Sequence, residues 1–315
     1  MTASTMEGPL VVVIGATGAQ GGSVIAHLIR SDQPYRIRAV TRDVNKPKAK
    51  ELEKEGCEVV AADMQKREDL DKAFSGADIV FAVTNFWEHM SDTRELADGQ
   101  RLVDAAKAAG TVKLFVWSGL ESVRKGSKGM LREVKHFDTK ADITDYALSS
   151  GLVVANVQPA CYMSNSIFPP SSPSSGDWEF ALPMLQNTEI PLLDTVADCG
   201  AYVRLAIERG GGRSLELLAV SEVKTMKEIV NEYNEVTGLN AQYRQLTPAQ
   251  YLESNPGPIG VELLEMLQWF ENFGYYGGKD VTPSRNAVLS LGSVELNSWK
   301  NYVQTHLKEE TKKSA

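Results

Sequence analysis

The sequence predicts an α/β fold built on a doubly wound parallel sheet, with a smaller α+β lid domain toward the C-terminus. Three observations carry this. Short apolar runs alternate with helical spacings through the first half of the chain, as the strands and crossover helices of a parallel sheet require. The first run, Leu10–Ile14, is apolar at every position, the pattern of a strand buried on both faces. It leads directly into Gly15-Ala-Thr-Gly18-Ala-Gln-Gly21, whose glycines are spaced for the approach of a dinucleotide pyrophosphate. Gly15 lets the strand turn sharply, Gly18 keeps a Cβ out of the phosphates' way, and Gly21 lets the following helix, over 22–30, pack close to the strand. That helix offers free N–H groups to an anion. A glycine triplet alone also marks ordinary turns; the strand before it and the helix after it make this a Rossmann-type cofactor turn.

The remaining elements follow in order. The second strand, Arg36–Thr41, ends in Thr41-Arg42 with no carboxylate at its tip. An Asp or Glu there would bind the ribose hydroxyls of NAD, whereas Arg42 can fork onto a 2′-phosphate and Lys46, with Lys48 and Lys50 behind it, adds positive charge. NADP(H) is the expected cofactor and NAD(H) the alternative, since Asp43 is a near neighbour and lysines also suit a solvated helix start. A charged helix over 46–55 leads to a strand over 58–62 that ends in Asp63-Met64, and a helix over 67–74 follows. The next strand, over 78–83, delivers Thr84-Asn85-Phe86-Trp87 to the carboxyl edge of the sheet, where ligands bind in such folds. Helix 93–109, strand 113–118, a glycine- and lysine-rich loop over 125–129, helix 133–149 and strand 152–157 continue the alternation.

At Pro159 the chain changes character, and Pro169-Pro-Ser-Ser-Pro-Ser-Ser-Gly176 marks an exposed loop. Residues 1–158 are therefore assigned to the NAD(P)-binding domain and 159–315 mainly to the smaller lid. Two segments near 198–220, a helix and a strand, are expected to return to the main sheet. Helices over 224–237, stopped by Gly238, then 260–273 and 294–307, and a solvated tail over 308–315, complete the chain.

Composition narrows the setting. A net charge of −8 counts against direct binding to nucleic acid, which favours a basic excess. No run is long enough to span a membrane, and the first residues lack the basic start and apolar stretch of a signal peptide. Three scattered cysteines, Cys57, Cys161 and Cys199, fit a reducing, cytoplasmic setting better than a disulfide framework. His27, His89, His136 and His306 show no metal-ligand spacing, so no metal is expected.

Gly15-Ala-Thr-Gly-Ala-Gln-Gly-Gly22, Val40-Thr-Arg-Asp43, Val83-Thr-Asn-Phe-Trp-Glu88, Val116-Trp-Ser-Gly-Leu120, His136-Phe-Asp-Thr-Lys140 and Pro159-Ala-Cys-Tyr-Met-Ser-Asn165 occur in order. As a set they closely resemble the NmrA-like family of atypical short-chain dehydrogenases, and within it the NADPH-sensor branch. The resemblance is strong from about residue 10 to 193 and weakens beyond. It implies that Gly15, Ala16, Thr17, Gly18, Ala19 and Gln20, with Gly21 behind them, wrap the pyrophosphate, and that Arg42 and Lys46 meet the 2′-phosphate. Asp63 and Met64 would flank the adenine; Thr84, Asn85 and Phe86 would line the path to the nicotinamide. Lys140 would bond the nicotinamide ribose, while Tyr162, Met163, Ser164 and Asn165 would close over the nicotinamide end. The resemblance further implies a regulator, monomeric or a cofactor-dependent homodimer, in cytoplasm and nucleus. Its partner would be a regulatory protein, a transcription factor among the candidates, with no direct contact to nucleic acid or membrane.

Chemistry is open. A working short-chain dehydrogenase needs a tyrosine one helical turn before the lysine, so that the ammonium lowers the phenol pKa. Here that position is His136. If the protein is an enzyme, the catalytic candidates are Lys140, His136 as acid or base, and Ser118 as a strand-end hydroxyl. On the other reading Lys140 holds the ribose and His136 lines the cleft. Tyr275-Tyr-Gly-Gly-Lys279 has the same spacing, but its glycines argue for a turn beyond the sheet. Cys161 is either a redox-sensitive thiol or a buried structural one. Two functions follow. The missing tyrosine favours a redox- or nucleotide-sensing regulator; a large, dry, apolar pocket would favour an NADPH-dependent oxidoreductase acting on a small carbonyl or quinone-like substrate.

Overall fold

In the computed structural model, which describes residues 8–171 and 178–308, β1 (Leu10–Ile14) is buried at every position. Val11 and Val13 face one hydrophobic core and Leu10, Val12 and Ile14 the other, which is why the run carries no polar alternation. The strands that follow are β2 (Arg36–Thr41), β3 (Glu58–Ala61), β4 (Ile79–Ala82), β5 (Leu114–Ser118), β6 (Val154–Pro159), β7 (Cys161–Tyr162), β8 (Glu179–Leu182), β9 (Glu189–Leu193) and β10 (Leu215–Ala219). Seven of them form one parallel sheet in the order β10-β6-β5-β4-β1-β2-β3. Strand order reverses between β1 and β4, so the connections from their carboxyl ends depart in opposite directions and leave a crevice.

The helices of this unit are α1 (Ala19–Ile29), α2 (Pro47–Lys54), α3 (Arg67–Phe74), α4 (Asp92–Ala109), α5 (Val123–Gly126), α6 (Lys135–Ser149) and α7 (Cys199–Arg209). Leu70 and Phe74 of α3, Leu102 and Val103 of α4, and Ile143 and Ala147 of α6 cover one face of the sheet. Val24, Ile25 and Leu28 of α1 cover the other together with α7. Helix α7 lies against α1 at backbone distance: a Cβ on Gly200 would fall 2.1 Å from the Ser23 carbonyl oxygen. The Gly200 N–H instead donates to Ser23 Oγ at 2.9 Å. The segment after residue 198 thus packs on the sheet, and β10 pairs with β6 from Leu215↔Ala155 to Ala219↔Pro159.

The rest of the chain adds β11 (Glu222–Thr225), α8 (Met226–Thr237), β12 (Gln242–Gln245), α9 (Pro248–Ser254), α10 (Pro258–Phe273), α11 (Thr282–Leu289) and α12 (Trp299–Tyr302). β9 joins β11 antiparallel and β7 parallel, while β8 pairs with β12. Capping boxes at Thr225/Glu228 and Thr247/Gln250 start α8 and α9. Gly238, at φ +79°, stops α8.

Several elements differ from the sequence reading. The loop expected over 125–129 contains part of the short α5, capped by Ser122. The short helices α9 and α11 were not expected. The helix expected over 294–307 begins only at Trp299, and Val303–Leu307 continues it as a π-helical turn. Upstream, Asn297 spends its backbone N–H on Asp198 and its side-chain amide on Asp194, so this stretch braces the start of α7 rather than coiling on itself. Most of the predicted Pro/Ser loop and tail lies outside the described residues. Among those described, no helix is long and apolar enough to cross a membrane.

Asp198, 2% exposed, accepts hydrogen bonds from Ser221 Oγ and the Asn297 N–H. Burial, aided by the nearby Asp194 carboxylate and opposed by those two hydrogen bonds, pushes its carboxyl from 3.8 up to about 6. The folded state therefore keeps a proton that the unfolded chain has released. This contribution to stability is fully present below about pH 3.8 and is lost as pH rises through about 6. Asp198→Asn should remove it. Thermal melts of both proteins at pH 4 and pH 7 check this: the wild type should lose more stability than the variant over that interval, and parallel changes would refute the assignment.

Candidate functional site

Gly15 turns at φ +66°, and a Cβ on Gly21 would fall 2.3 Å from the Gly15 carbonyl oxygen, so α1 starts in backbone contact with the strand it leaves. Gly18 is the N-cap of α1 at φ −83°, a conformation open to any residue, and provides no side-chain cap. The backbone N–H groups of Ala19, Gln20 and Gly21 have no acceptor among the described residues. They form the partly positive end of the helix and face the crevice. Ala16 differs from expectation: its side chain is buried in the core and its N–H is already donated to the Val40 carbonyl at 3.1 Å.

A cleft of about 880 Å³ runs from this turn along the carboxyl edge of the sheet. Its wall brings together Gly15, Thr17, Gly18, Ala19, Gln20, Gly21, Arg42, Asp63, Met64, Thr84, Asn85, Phe86, His136, Lys140, Tyr162 and Asn165. Other predicted residues are placed elsewhere. Lys46 is exposed at the start of α2 and outside the wall, as is Ser164. Met163 is 1% exposed and belongs to the core, because its N–H extends the β7–β9 pairing by donating to the Leu193 carbonyl. Ser118, 1% exposed, is also not part of that wall. Tyr162 is fixed by Gln20, whose amide donates to the phenol oxygen at 2.7 Å and so ties the glycine turn to β7. Arg42 donates to the carboxylate of Glu88, at the end of a single 3-10 turn, Phe86–Glu88.

Lys140 projects from α6 into the sheet edge, where its ammonium donates to the Thr84 carbonyl at 2.9 Å, Thr84 Oγ1 at 2.9 Å and Glu95 Oε1 at 2.7 Å. An ammonium has three donors, and all are spent. A ribose contact, as expected from the resemblance, would require Lys140 to release one of them. Glu95, 4% exposed, was missed by sequence reasoning, and its second oxygen, Oε2, is buried without a partner. The signal was present: Glu95 lies in helical register with the buried Gly99, Leu102 and Val103 of α4, a carboxylate on an otherwise core-facing stripe.

One turn earlier on α6, His136 Nδ1 lies 2.6 Å from Glu262 Oε1, and the same oxygen accepts the His136 backbone N–H at 2.9 Å. Both side chains are 9% exposed. Val134, the N-cap of α6, has no side chain able to accept. Glu262 therefore satisfies an orphan donor of that helix, and Glu265, one turn along α10, accepts the N–H groups of Arg132 and Glu133 at 2.6 and 2.7 Å. The His136 ring is held between Trp87 and Phe137, each with its centroid 4.9 Å away.

Beyond the histidine the wall turns apolar. Leu263, Met266 and Phe270 of α10, Phe137 of α6, Ile167 and Tyr275 line it. Tyr275 lies in the turn expected for its glycines but reaches back to the cleft, its hydroxyl donating to the Pro159 carbonyl at 3.0 Å. Cys161 also lines the cleft, and burial pushes its thiol up to about 12, which makes it an inert structural group rather than a thiolate. Among the described residues no group of three or more His, Cys, Asp or Glu side chains is arranged to hold a metal ion.

The sequence profile of the NmrA-like family matches residues 8–310. The NmrA-like family domain-containing oxidoreductase ptmS of Penicillium ochrochloron is 29% identical over 299 residues, 88% of each chain. Among solved structures, NmrA, a negative transcriptional regulator, in complex with NADP superposes with a TM-score of 0.79 at 19% identity, covering 98% of each chain. Triphenylmethane reductase of Citrobacter sp., complexed with NADP(H), superposes with a TM-score of 0.71 at 18% identity, covering 94% of this chain and 99% of the other. At those identities the structural likeness speaks to the fold alone.

The Lys140–Glu95 pair yields a stability prediction. Lys140→Ala leaves a carboxylate that is 3% exposed without its cation, and should cost about 3–5 kcal/mol in urea unfolding. Combining Lys140→Met with Glu95→Gln removes both charges and should recover more than half of that loss. A single variant as stable as the wild type would show that the pair carries no structural weight.

Proposed function

Because the chain belongs to the NmrA-like family, we propose that it is an NADP(H)-dependent oxidoreductase acting on a small, apolar carbonyl or quinone-like substrate. The observation that carries this reading is the continuity of the cleft: one cavity holds the glycine turn at one end and the α10 side chains Leu263, Met266 and Phe270 at the other. A chamber of this kind accepts apolar ligands and keeps water from the reacting atoms. The free N–H groups at the start of α1 fit a pyrophosphate, and Arg42, at the tip of β2, fits a 2′-phosphate. NADPH bound there supplies a hydride. Trp87 and Ile259, each 44% exposed, give the chamber an apolar rim. The oxidoreductase name of ptmS supports the same reading.

A second reading, a nucleotide-sensing regulator working through a protein partner in cytoplasm and nucleus, is favoured by the Arg42–Glu88 contact. A 2′-phosphate competing for Arg42 would release Glu88 and with it the turn that carries the exposed Trp87. The ligand would then have different affinities for two loop states, which is the requirement for sensing.

Two measurements test these readings. Arg42→Ala should weaken NADP(H) by about 1.5–3 kcal/mol, roughly ten- to a hundredfold by calorimetry, and NAD(H) by no more than about twofold; equal losses would refute the 2′-phosphate assignment. In a screen of aldehydes, ketones and quinones the wild type should consume NADPH in a substrate-dependent way. Leu263→Arg, which puts a cation on the chamber wall, should lower that turnover at least about tenfold while leaving NADPH affinity within about threefold. NADPH-dependent changes of mass in solution without any turnover would favour the regulator instead.

A further inference from the structure

We infer that His136 and Glu262 form the acid–base couple of this cleft, so that the substrate is a neutral carbonyl whose oxygen must gain a proton. The inference rests on the oxidoreductase reading and deepens it. Glu262 Oε1 lies 2.6 Å from His136 Nδ1, and both side chains are buried. An ionised carboxylate only accepts, so the hydrogen sits on Nδ1. Nε2 has no hydrogen-bond partner among the described residues, and the ring forms part of the cleft wall. A ring in a cleft wall, with one nitrogen held by a carboxylate and the other without a protein partner among the described residues, is arranged to pass a proton. Trp87 and Phe137 fix its plane.

Helix-capping by itself accounts for a carboxylate at the start of α6. It does not account for the additional contact to the ring, which an imidazole facing away would lack. Glu262 is thus a positioning residue that also stabilises the protonated ring, and His136 is the catalytic one. With the ring protonated at both nitrogens, the substrate carbon takes up a hydride, the π pair of the C=O bond moves to oxygen, and Nε2 gives its proton to that oxygen. The carbonyl is reduced to an alcohol, the nicotinamide is oxidised, and the imidazole, left neutral with its hydrogen on Nδ1, takes up a solvent proton at Nε2, so that one proton is consumed per turnover. A cationic acceptor, which takes up hydride alone, would have no use for this couple.

The test combines kinetics with ¹⁵N NMR of the protein without cofactor. The neutral His136 ring of the wild type should carry its hydrogen on Nδ1, and Glu262→Leu should lose that preference. Glu262→Gln keeps an oxygen for both hydrogen bonds but removes the charge. It should retain the tautomer and the NADPH affinity while kcat for carbonyl reduction falls about ten- to a hundredfold with KM within about twofold, and His136→Ala should lose at least about a hundredfold. Wild-type kcat in Glu262→Gln would reduce Glu262 to a helix cap and overturn the proposal, as would an Nε2–H tautomer in the wild type. In both cases the oxidoreductase reading stands as long as the wild type turns over; turnover of quinones without reduction of any aldehyde or ketone would overturn this proposal alone, and absence of turnover with all three classes would refute both.

Discussion

Helix α6 begins without a cap of its own, and the carboxylates that complete it come from α10, more than a hundred residues later. Glu262 and Glu265 accept three N–H groups between Arg132 and His136, which places two anions at the positive end of the helix dipole. This helix carries both His136 and Lys140, so the position of these two cleft residues depends on a contact from the C-terminal part of the chain. The same helix α10 supplies Leu263, Met266 and Phe270 to the apolar wall. Chamber and helix terminus are therefore built by opposite demands on one element: one stripe offers carboxylates, the adjacent one offers hydrocarbon.

Burial separates the roles of two of the ion pairs at the cleft. Lys140 and Glu95 have side chains 12% and 3% exposed, are joined through Thr84, and replace lost hydration with three directed hydrogen bonds. Such a pair adds little net stability but is costly to break, so it holds α4 and α6 in register at the sheet edge. Arg42, 71% exposed, meets Glu88 at the surface, where water and salt screen the attraction. A ligand phosphate can displace a carboxylate there at small cost. The cleft thus has a rigid interior and an exchangeable rim, which suits a cofactor that enters from the rim and reacts inside.

The apolar character of the interior also explains the quiet thiols. Cys161 and Cys199 are both pushed up to about 12 by burial, Cys57 to about 11. With no cation beside them, nothing stabilises a thiolate, and they behave as small hydrophobic groups.

Much of this was legible in the sequence because it is encoded by neighbours. The Leu10–Ile14 run, the glycine spacing after it and the arginine at the end of β2 each act through local backbone geometry or strand period, and these determined the parallel sheet, the cofactor turn and the direction of the search. Met163 and Ser118 are buried outside the cleft wall, because alternate residues along a strand point to opposite faces. Glu95 and Glu262 stayed hidden for a different reason: they meet Lys140 and His136 across separations of 45 and 126 residues. No local pattern announces which helix face will oppose which. The sequence by itself determined where a dinucleotide can lie; only the tertiary structure decided which charges its neighbours already hold, because pairing of buried ions depends on helices packed from distant parts of the chain.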